Sequence, residues 1–353
     1  MHIEQIETPA LILDLDIMER NMDAMDKLLE GSSARLRPHY KSNKCTAIAH
    51  MQMARGAKGI CCAKLSEAED LVLAGIPDVL IANQVTELSK IARLAYLAGC
   101  CRLTVCVDNS SNINDLQKAA ALQNTIIHCL VEYDIGMNRC GVHTKEEFSA
   151  LARQVMDCPN LVFDGIQAYA GNLAHQEDAV SRERESAGVE EKLIALTIHL
   201  EGNGIPVKEV SGVSTGTLEF HVKDTVYTEL QPGSYLFMDA AYRAVGVSFE
   251  HSLFVLASVV SRAGGGVITD AGLKSVSVDQ RSPRFMGYEE YDVDMSEEHC
   301  AIYGKDLPQK VGDRMFLIPS HCCTTVNLHD HIYFVRDGRV VDRVPVTGRG
   351  HSR

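Results

Sequence analysis

Residues 59–84 read GICCAKLSEAEDLVLAGIPDVLIANQ. Two short apolar runs, Gly59 to Lys64 and Val79 to Asn83, flank a stretch of helical period from Leu65 to Ala74, where Ser66 is the expected N-cap. This is the pattern of a strand, a crossover helix and a second strand of a parallel sheet. Working outward, the same texture recurs at Arg35 to Lys41, Leu103 to Asp108, Ile126 to Asp134, Phe163 to Tyr169, Val207 to Gly212 and Val226 to Leu230. Eight such runs with helices between them, including a long one over Asp178 to Gly202, favour an α/β fold closed as a (β/α)8 TIM barrel over an open doubly wound sheet.

Beyond Ala244 the texture changes. LFVLASVVSR, GGVITDAG, KSVSV, RMFLIPS, HIYFVRDG and RVVDRVPV are strand-like runs separated by Gly, Asp or Pro turns, which is the signature of a C-terminal β-domain. The opening TPALILDLD also reads as a strand and precedes a helix over Ile17 to Leu29, so it is expected to pair with that β-domain. The division expected is therefore a barrel over 17–244 and a β-domain made of 1–16 plus 245–353.

Composition narrows the function classes. The 353 residues carry a formal charge of −13, and no basic patch stands out, so neither nucleic acid nor an anionic membrane is an expected partner. No apolar stretch approaches the roughly 20 residues that span a bilayer, and MHIEQIETPA lacks the basic and apolar regions of a secretory leader; the expected compartment is the cytoplasm. Twelve cysteines include the vicinal pairs Cys61-Cys62, Cys100-Cys101 and Cys322-Cys323 but no C-x-x-C, which argues against a disulfide scaffold, a zinc ribbon or a redox motif. Most of these thiols are expected to be small buried apolar groups, with Cys323 the exception.

Barrel enzymes work at the C-terminal ends of their strands. Lys41 closes the first strand in RPHYKSNK, which also holds His39. Asp134 and Arg139 follow the fifth strand, Tyr169 and His175 the sixth, Ser214-Thr215-Gly216 the seventh, and Ser234-Tyr235 the eighth. The turn SGVSTGT is a candidate phosphate cradle, because small residues let backbone N–H groups approach phosphate oxygens. A lysine, a cradle and an aromatic on one rim are what a phosphorylated pyridine aldehyde needs.

These motifs resemble the fold-type III pyridoxal-phosphate enzymes, with an alanine racemase-like barrel, and among them the D-threonine aldolase and D-serine dehydratase group. The matching segments run along nearly the whole chain: TPALILDLD, RPHYKSNK, GICCAKLSEAE, CVDNSSNI, RCGV, GIQAYAGNLAH, VYTELQPGSYLFMD, DAGLK at Asp270 to Lys274, the Glu298-His299 pair, and PSHCCTTVNLHD. The body is closer to the D-threonine and 3-hydroxy-D-aspartate aldolases. The resemblance implies that Lys41 carries pyridoxal 5'-phosphate as a Schiff base and that His39, Arg139 and Tyr169 lie around the cofactor. It implies further that Ser214, Thr215, Gly216, Ser234 and Tyr235 hold the phosphate, and that His175 is catalytic near the substrate's β-hydroxyl.

His321 and Cys323 stand two apart, so on an extended segment both would project to one face as metal ligands. The resemblance places a divalent metal there, but this chain departs from its aldolase-like body. Aldolases of the group read His-x-Asp, whereas the dehydratases read His-x-Cys-x-Thr, matched here by His321, Cys323 and Thr325. Soft Cys323 favours zinc over manganese or magnesium. Cys322 is either packed inward or a third ligand, and His329-Asp330-His331 is a further cluster expected to belong to a strand leaving the site.

The reaction expected is retro-aldol cleavage of a D-configured β-hydroxy amino acid to glycine and an aldehyde. The runner-up is a zinc-dependent dehydratase of D-serine or 3-hydroxyaspartate giving a 2-oxo acid and ammonia. A racemase and a non-catalytic pyridoxal-phosphate carrier are lesser alternatives, the carrier disfavoured by the residues after Ala244. A homodimer is implied by the resemblance.

Overall fold

The computed structural model describes residues 1–304 and 307–353. It divides into two compact units, one of Leu28–Lys41, Thr46–Gly233 and His351–Arg353, the other of Met1–Lys27, Ser42–Cys45 and Ser234–Gly350. The chain opens in the second of these with β1 (Ala10–Asp14) and the helix Leu15–Leu28.

The first unit is the barrel. Its strands are β2 (Arg35–Leu36), β3 (Ile60–Cys62), β4 (Asp78–Ile81), β5 (Arg102–Val107), β6 (Ile127–Glu132), β7 (Leu161–Ala168), β8 (Glu209–Gly212) and β9 (Glu229–Leu230). Every neighbouring pair is parallel, in the order β2-β9-β8-β7-β6-β5-β4-β3. A parallel bridge between His39 and Cys61, with Cys61 N–H donating to Pro38 O at 2.9 Å, joins the two ends and closes the ring. All eight apolar runs of the sequence are therefore barrel strands. One interior layer is Cys61, Leu80, Cys106 and Leu130, contributed by β3 to β6 and at most 1% exposed, so these two cysteines do serve as small core groups.

Local signals locate the helices with one correction. The helix Leu65–Leu73 is capped from Lys64, not Ser66: the Glu67 carboxylate turns back to accept from Ala63 N at 2.8 Å and Lys64 N at 3.2 Å. A carboxylate at the third helical position satisfies the orphan N–H groups of the start, which releases the Ser66 hydroxyl to bond Arg353 O. The long helix runs Ala179–Gly202, as its sequence predicts.

The second unit is built on a nine-stranded sheet comprising β1, β10 (Leu253–Ala263), β11 (Gly266–Thr269), β12 (Arg284–Phe285), β13 (Val293–Met295), β14 (Cys300–Tyr303), β15 (Arg314–Ile318), β16 (His331–Arg336) and β17 (Arg339–Pro345). The expected pairing of the opening strand is met on both edges: β1 lies antiparallel to β10 and parallel to β16. Ile6, Ala10, Ile12, Leu256 and Val335 form a core there, with Phe316 and Tyr333 against it. KSVSV is not a strand; Gly272 O accepts from Ser275 N and Val276 N, so the segment coils into turns. The helix Leu15–Leu28 and residues 234–244 group with this sheet, which differs from a division at 16/17 and 244/245. Buried Asn21 supplies a reason, since its amide donates to Leu236 O at 3.0 Å and Glu250 O at 2.8 Å.

Among the described residues no helix is long and apolar enough to cross a membrane, and none of the twelve cysteines forms a disulfide.

Candidate active site

In the barrel unit, the strand ends carry a cavity of about 150 Å³ lined by His39, Lys41, Ala63, Ala82, Asn83, Arg139, Cys140, Gln167, Tyr169 and Gln231. Lys41 lies in the 3-10 turn Tyr40–Ser42 that follows the His39 bridge. Its backbone N–H donates to His39 Nδ1 at 3.4 Å, which orients that imidazole toward the amine's own turn. The Lys41 Nζ stands 5.6 Å from the centroid of the Tyr169 ring, and the Arg139 guanidinium 5.5 Å from the same ring. Two cations against one aromatic ring make a local electrostatic preference for a planar, anionic occupant.

The loop that brings Arg139 to this ring is tied down by carboxylates. Asp134 Oδ1 accepts from Gly136 N at 2.7 Å and Met137 N at 2.9 Å, and Asp108 Oδ2 from Gly141 N at 3.1 Å. Asp134 thus shapes the turn instead of lining the cavity. Beneath the cavity, buried Gln231 donates to Gln167 Oε1 at 2.8 Å and Ser211 Oγ at 2.7 Å, linking the ends of β7, β8 and the segment after β9. Glu132, at the end of β6, accepts from Gln84 Nε2 at 2.6 Å; burial raises its pKa against the opposing pull of Gln84 and Arg139.

The SGVSTGT turn has the features of an anion cradle. Val213 sits at φ 73°, a left-handed conformation that a β-branched residue adopts only where its surroundings impose it. Gly216 approaches Ala174 so closely that a Cβ there would lie 1.9 Å from its carbonyl oxygen. Ser214 Oγ is paired with Thr217 Oγ1 at 3.1 Å, but the buried Thr215 Oγ1 has no hydrogen-bond partner among the described residues. A buried hydroxyl left in that state is costly unless a ligand satisfies it, so the turn fits a phosphate group. His175 follows the 3-10 turn Gly171–Leu173 and is half-buried.

In the second unit the metal pair is not extended. His321 has strand-like φ and ψ, but Cys322–Val326 is a one-turn helix. The ligand atoms of His321, Cys322 and Cys323 nevertheless lie within 4.8 Å of one another. Asp239, fully buried, was not singled out by the sequence and organises this group. Its Oδ2 meets His321 Nδ1 at 3.0 Å and accepts from Cys322 N at 2.9 Å, while Oδ1 caps the helix Ala240–Ala244 through Tyr242 N at 2.9 Å. With Nδ1 so engaged, Nε2 is the atom that would meet a metal, as in a carboxylate–histidine–metal triad. Burial alone lowers the His321 pKa, but Cys323 and Asp239 push it up to about 11. An imidazole and two sulfurs close together, with a buried carboxylate behind them, make a donor set that fits a metal.

Cys323 Sγ lies 3.5 Å from Ser42 Oγ and 3.7 Å from Ser234 Oγ. Ser234, expected at the cofactor phosphate, therefore contacts the thiol, and Tyr235 is buried with its ring 5.7 Å from Phe249. Thr325 does not face the metal group; its hydroxyl pairs with Ser277 Oγ at 2.9 Å and braces the one-turn helix. The His329-Asp330-His331 cluster is dispersed, with His329 on Ser275 O, Asp330 on Arg349 and His331 on Arg343. Asn83, Gln167 and Gln231 are the further cavity residues that the sequence did not single out. Polar side chains within apolar strand ends were the available signal.

Residues 13–241 match the model of the alanine racemase N-terminal domain, and residues 252–335 that of a serine dehydratase domain. The chain is 40% identical to a D-threonine aldolase of Arthrobacter sp., over 99% of this chain and 95% of that one. It is 39% identical to a 3-hydroxy-D-aspartate aldolase of Paracoccus denitrificans, over 99% and 94%. A D-threo-3-hydroxyaspartate dehydratase of Delftia sp. is more distant at 28%, over 91% and 92%. The crystal structure of a D-threonine aldolase from Filomicrobium marinum superposes with a TM-score of 0.97 at 39% identity, over 99% of this chain and 98% of that one. With the barrel, the amine cavity and full-length similarity in agreement, the chain belongs to the alanine racemase-like pyridoxal-phosphate family, within its group of D-threonine and 3-hydroxy-D-aspartate aldolases, and is a lyase.

Proposed function

We propose that this lyase holds pyridoxal 5'-phosphate through Lys41 and a divalent metal through His321 and Cys323, and cleaves D-configured β-hydroxy amino acids to glycine and an aldehyde. The observation that carries the reading is the Lys41 amine and the Arg139 guanidinium set against one Tyr169 ring in a cavity at the strand ends. Its aldolase relatives, more similar than the dehydratase, support cleavage over elimination. When bound, the two groups supply an electron sink for the carbon losing its bond and a Lewis acid for the β-hydroxyl.

The chain's own residues do the rest. Lys41 would anchor the cofactor covalently, with His39 and Tyr169 beside it, and Arg139 would supply a fixed positive charge. The Thr215 hydroxyl and the backbone of Ser214 and Gly216 would hold the phosphate, with Ser234 and Tyr235 assigned to it by the family resemblance alone. His175 takes the proton of the β-hydroxyl. Asp239 keeps His321 in one tautomer and one orientation. The Ser42 hydroxyl accepts from Cys323 and so braces that thiol. Imidazole and thiolate favour zinc over manganese or magnesium.

Dehydration to a 2-oxo acid and ammonia is the second reading, favoured by Cys323 where the aldolase pattern has a carboxylate. Supplying the loaded enzyme with D-threonine, D-serine and both D-configured 3-hydroxyaspartates separates the two. Glycine and aldehyde are expected; oxo acid and ammonia as the sole products overturn the proposal.

A further inference from the structure

Cys322 carries no role in the proposed reaction, yet its surroundings are unlike those of Cys61 and Cys106. Cys61 and Cys106 pack among Leu80 and Leu130 inside the barrel, where a thiol is a small apolar filler. Cys322 is equally inaccessible, but its thiol interacts with the Cys323 thiol and the Ser234 hydroxyl, and it lies in one group with the His321 imidazole. The Cys323 thiol contacts the same Ser234 hydroxyl at 3.7 Å, so both sulfurs converge on one polar point.

The backbone explains how neighbours can do this. A single carboxylate oxygen, Asp239 Oδ2, receives the Cys322 N–H at 2.9 Å and meets His321 Nδ1 at 3.0 Å. That oxygen fixes the imidazole and the first peptide of the one-turn helix together. Where the chain turns from the extended conformation of His321 into the helix Cys322–Val326, consecutive side chains no longer alternate between faces.

We propose that Cys322 is a metal ligand together with His321 and Cys323, which makes the centre a His–Cys–Cys zinc site with a fourth position left for a substrate oxygen. This rests on the reading that His321 and Cys323 hold a metal, and it assigns the chain a second thiolate that the His-x-Cys pattern does not contain. In a tetrahedral site with Zn–S of about 2.3 Å and Zn–N of about 2.0–2.1 Å, donor atoms stand roughly 3.6–3.8 Å apart. The separations here, all within 4.8 Å, close to that spacing by side-chain rotation of about 1 Å. Two thiolates and an imidazole neutralise a dication, and so soft a donor set rejects manganese and magnesium while retaining zinc.

X-ray absorption at the zinc edge of the zinc-loaded, full-length protein counts the sulfurs without any substitution. Two sulfur scatterers at about 2.3 Å are expected, falling to one in Cys322→Ala, with weaker retention of zinc against a chelator. One sulfur in the unsubstituted protein overturns the proposal, and if His321→Ala then loses the zinc, the metal reading itself still stands. A protein that retains no more zinc than His321→Ala overturns both. Since the unsubstituted protein decides the sulfur count, a Cys322→Ala chain that fails to fold leaves the test intact.

Discussion

Asp239 shows how much one oxygen can decide. It orients His321, holds the peptide of Cys322 and, through its second oxygen, starts the helix Ala240–Ala244. Asp239→Asn is expected to weaken zinc binding about 10–100-fold, the usual effect of losing a partner behind a metal ligand, with cofactor absorbance unchanged; a chelator competition reads it. Thr215 makes the complementary case. Its buried hydroxyl has no partner to lose among the described residues, so Thr215→Val is expected to leave the thermal stability of the cofactor-free protein within about 0.5 kcal/mol. Cofactor affinity falls by about 1 kcal/mol, roughly fivefold, in a titration followed by absorbance. The two roles were not equally legible. Thr215 was found through its Gly- and Ser-rich turn, whereas Asp239 lies 82 residues from the histidine it serves and carries no spacing signal.

The two ends of the barrel strands carry different chemistry. Opposite the amine cavity, buried Arg37 binds Asp78 at 2.7 Å and Glu229 at 2.9 Å; Lys58 joins Glu229 at 2.9 Å and also contacts Glu209. Asp164 takes Arg102 at 2.5 Å and His128 at 2.8 Å. Gly59 belongs to the same end, because a Cβ there would lie 2.5 Å from the Arg37 guanidinium. Burial works to raise the pKa values of Glu229 and Asp164, but Arg37 with Lys58, and His128 with Arg102, lower both overall. Carboxylates with depressed folded pKa values add stability above their unfolded values of about 4, and that stability is lost as pH falls through the folded values. Unfolding midpoints are therefore expected to hold from neutral pH to about 5 and to fall below about 4. Glu229→Ala should cost about 3–5 kcal/mol at pH 7, since it strips a buried partner from Arg37. Urea unfolding across the pH range tests both statements. The eight barrel runs were legible because apolar, β-branched stretches between helical ones leave little other choice. The short strands β12, β13 and β14 were not, since runs of two to four residues carry no period. The one-turn helix after His321 escaped because alternation had been assumed for a segment whose geometry is set by distant Asp239.

Across the full chain, candidate cofactor residues run from His39 to Tyr235 and candidate metal residues lie at 321 to 323, so no local window contains the site. The motifs became legible together only through the family resemblance, which full-length similarity to the aldolases bears out. The proposed metal residues lie apart in sequence from the lysine, and the two losses should be separable. Removing zinc by chelation is expected to abolish turnover and leave cofactor absorbance in place, with activity restored by zinc. The account as a whole depends on Lys41. Borohydride reduction of the cofactor-loaded protein, followed by peptide mass mapping, tests it most directly: a reduced pyridoxyl phosphate group is predicted on Lys41 alone, and attachment to another lysine, or to none, would contradict the account.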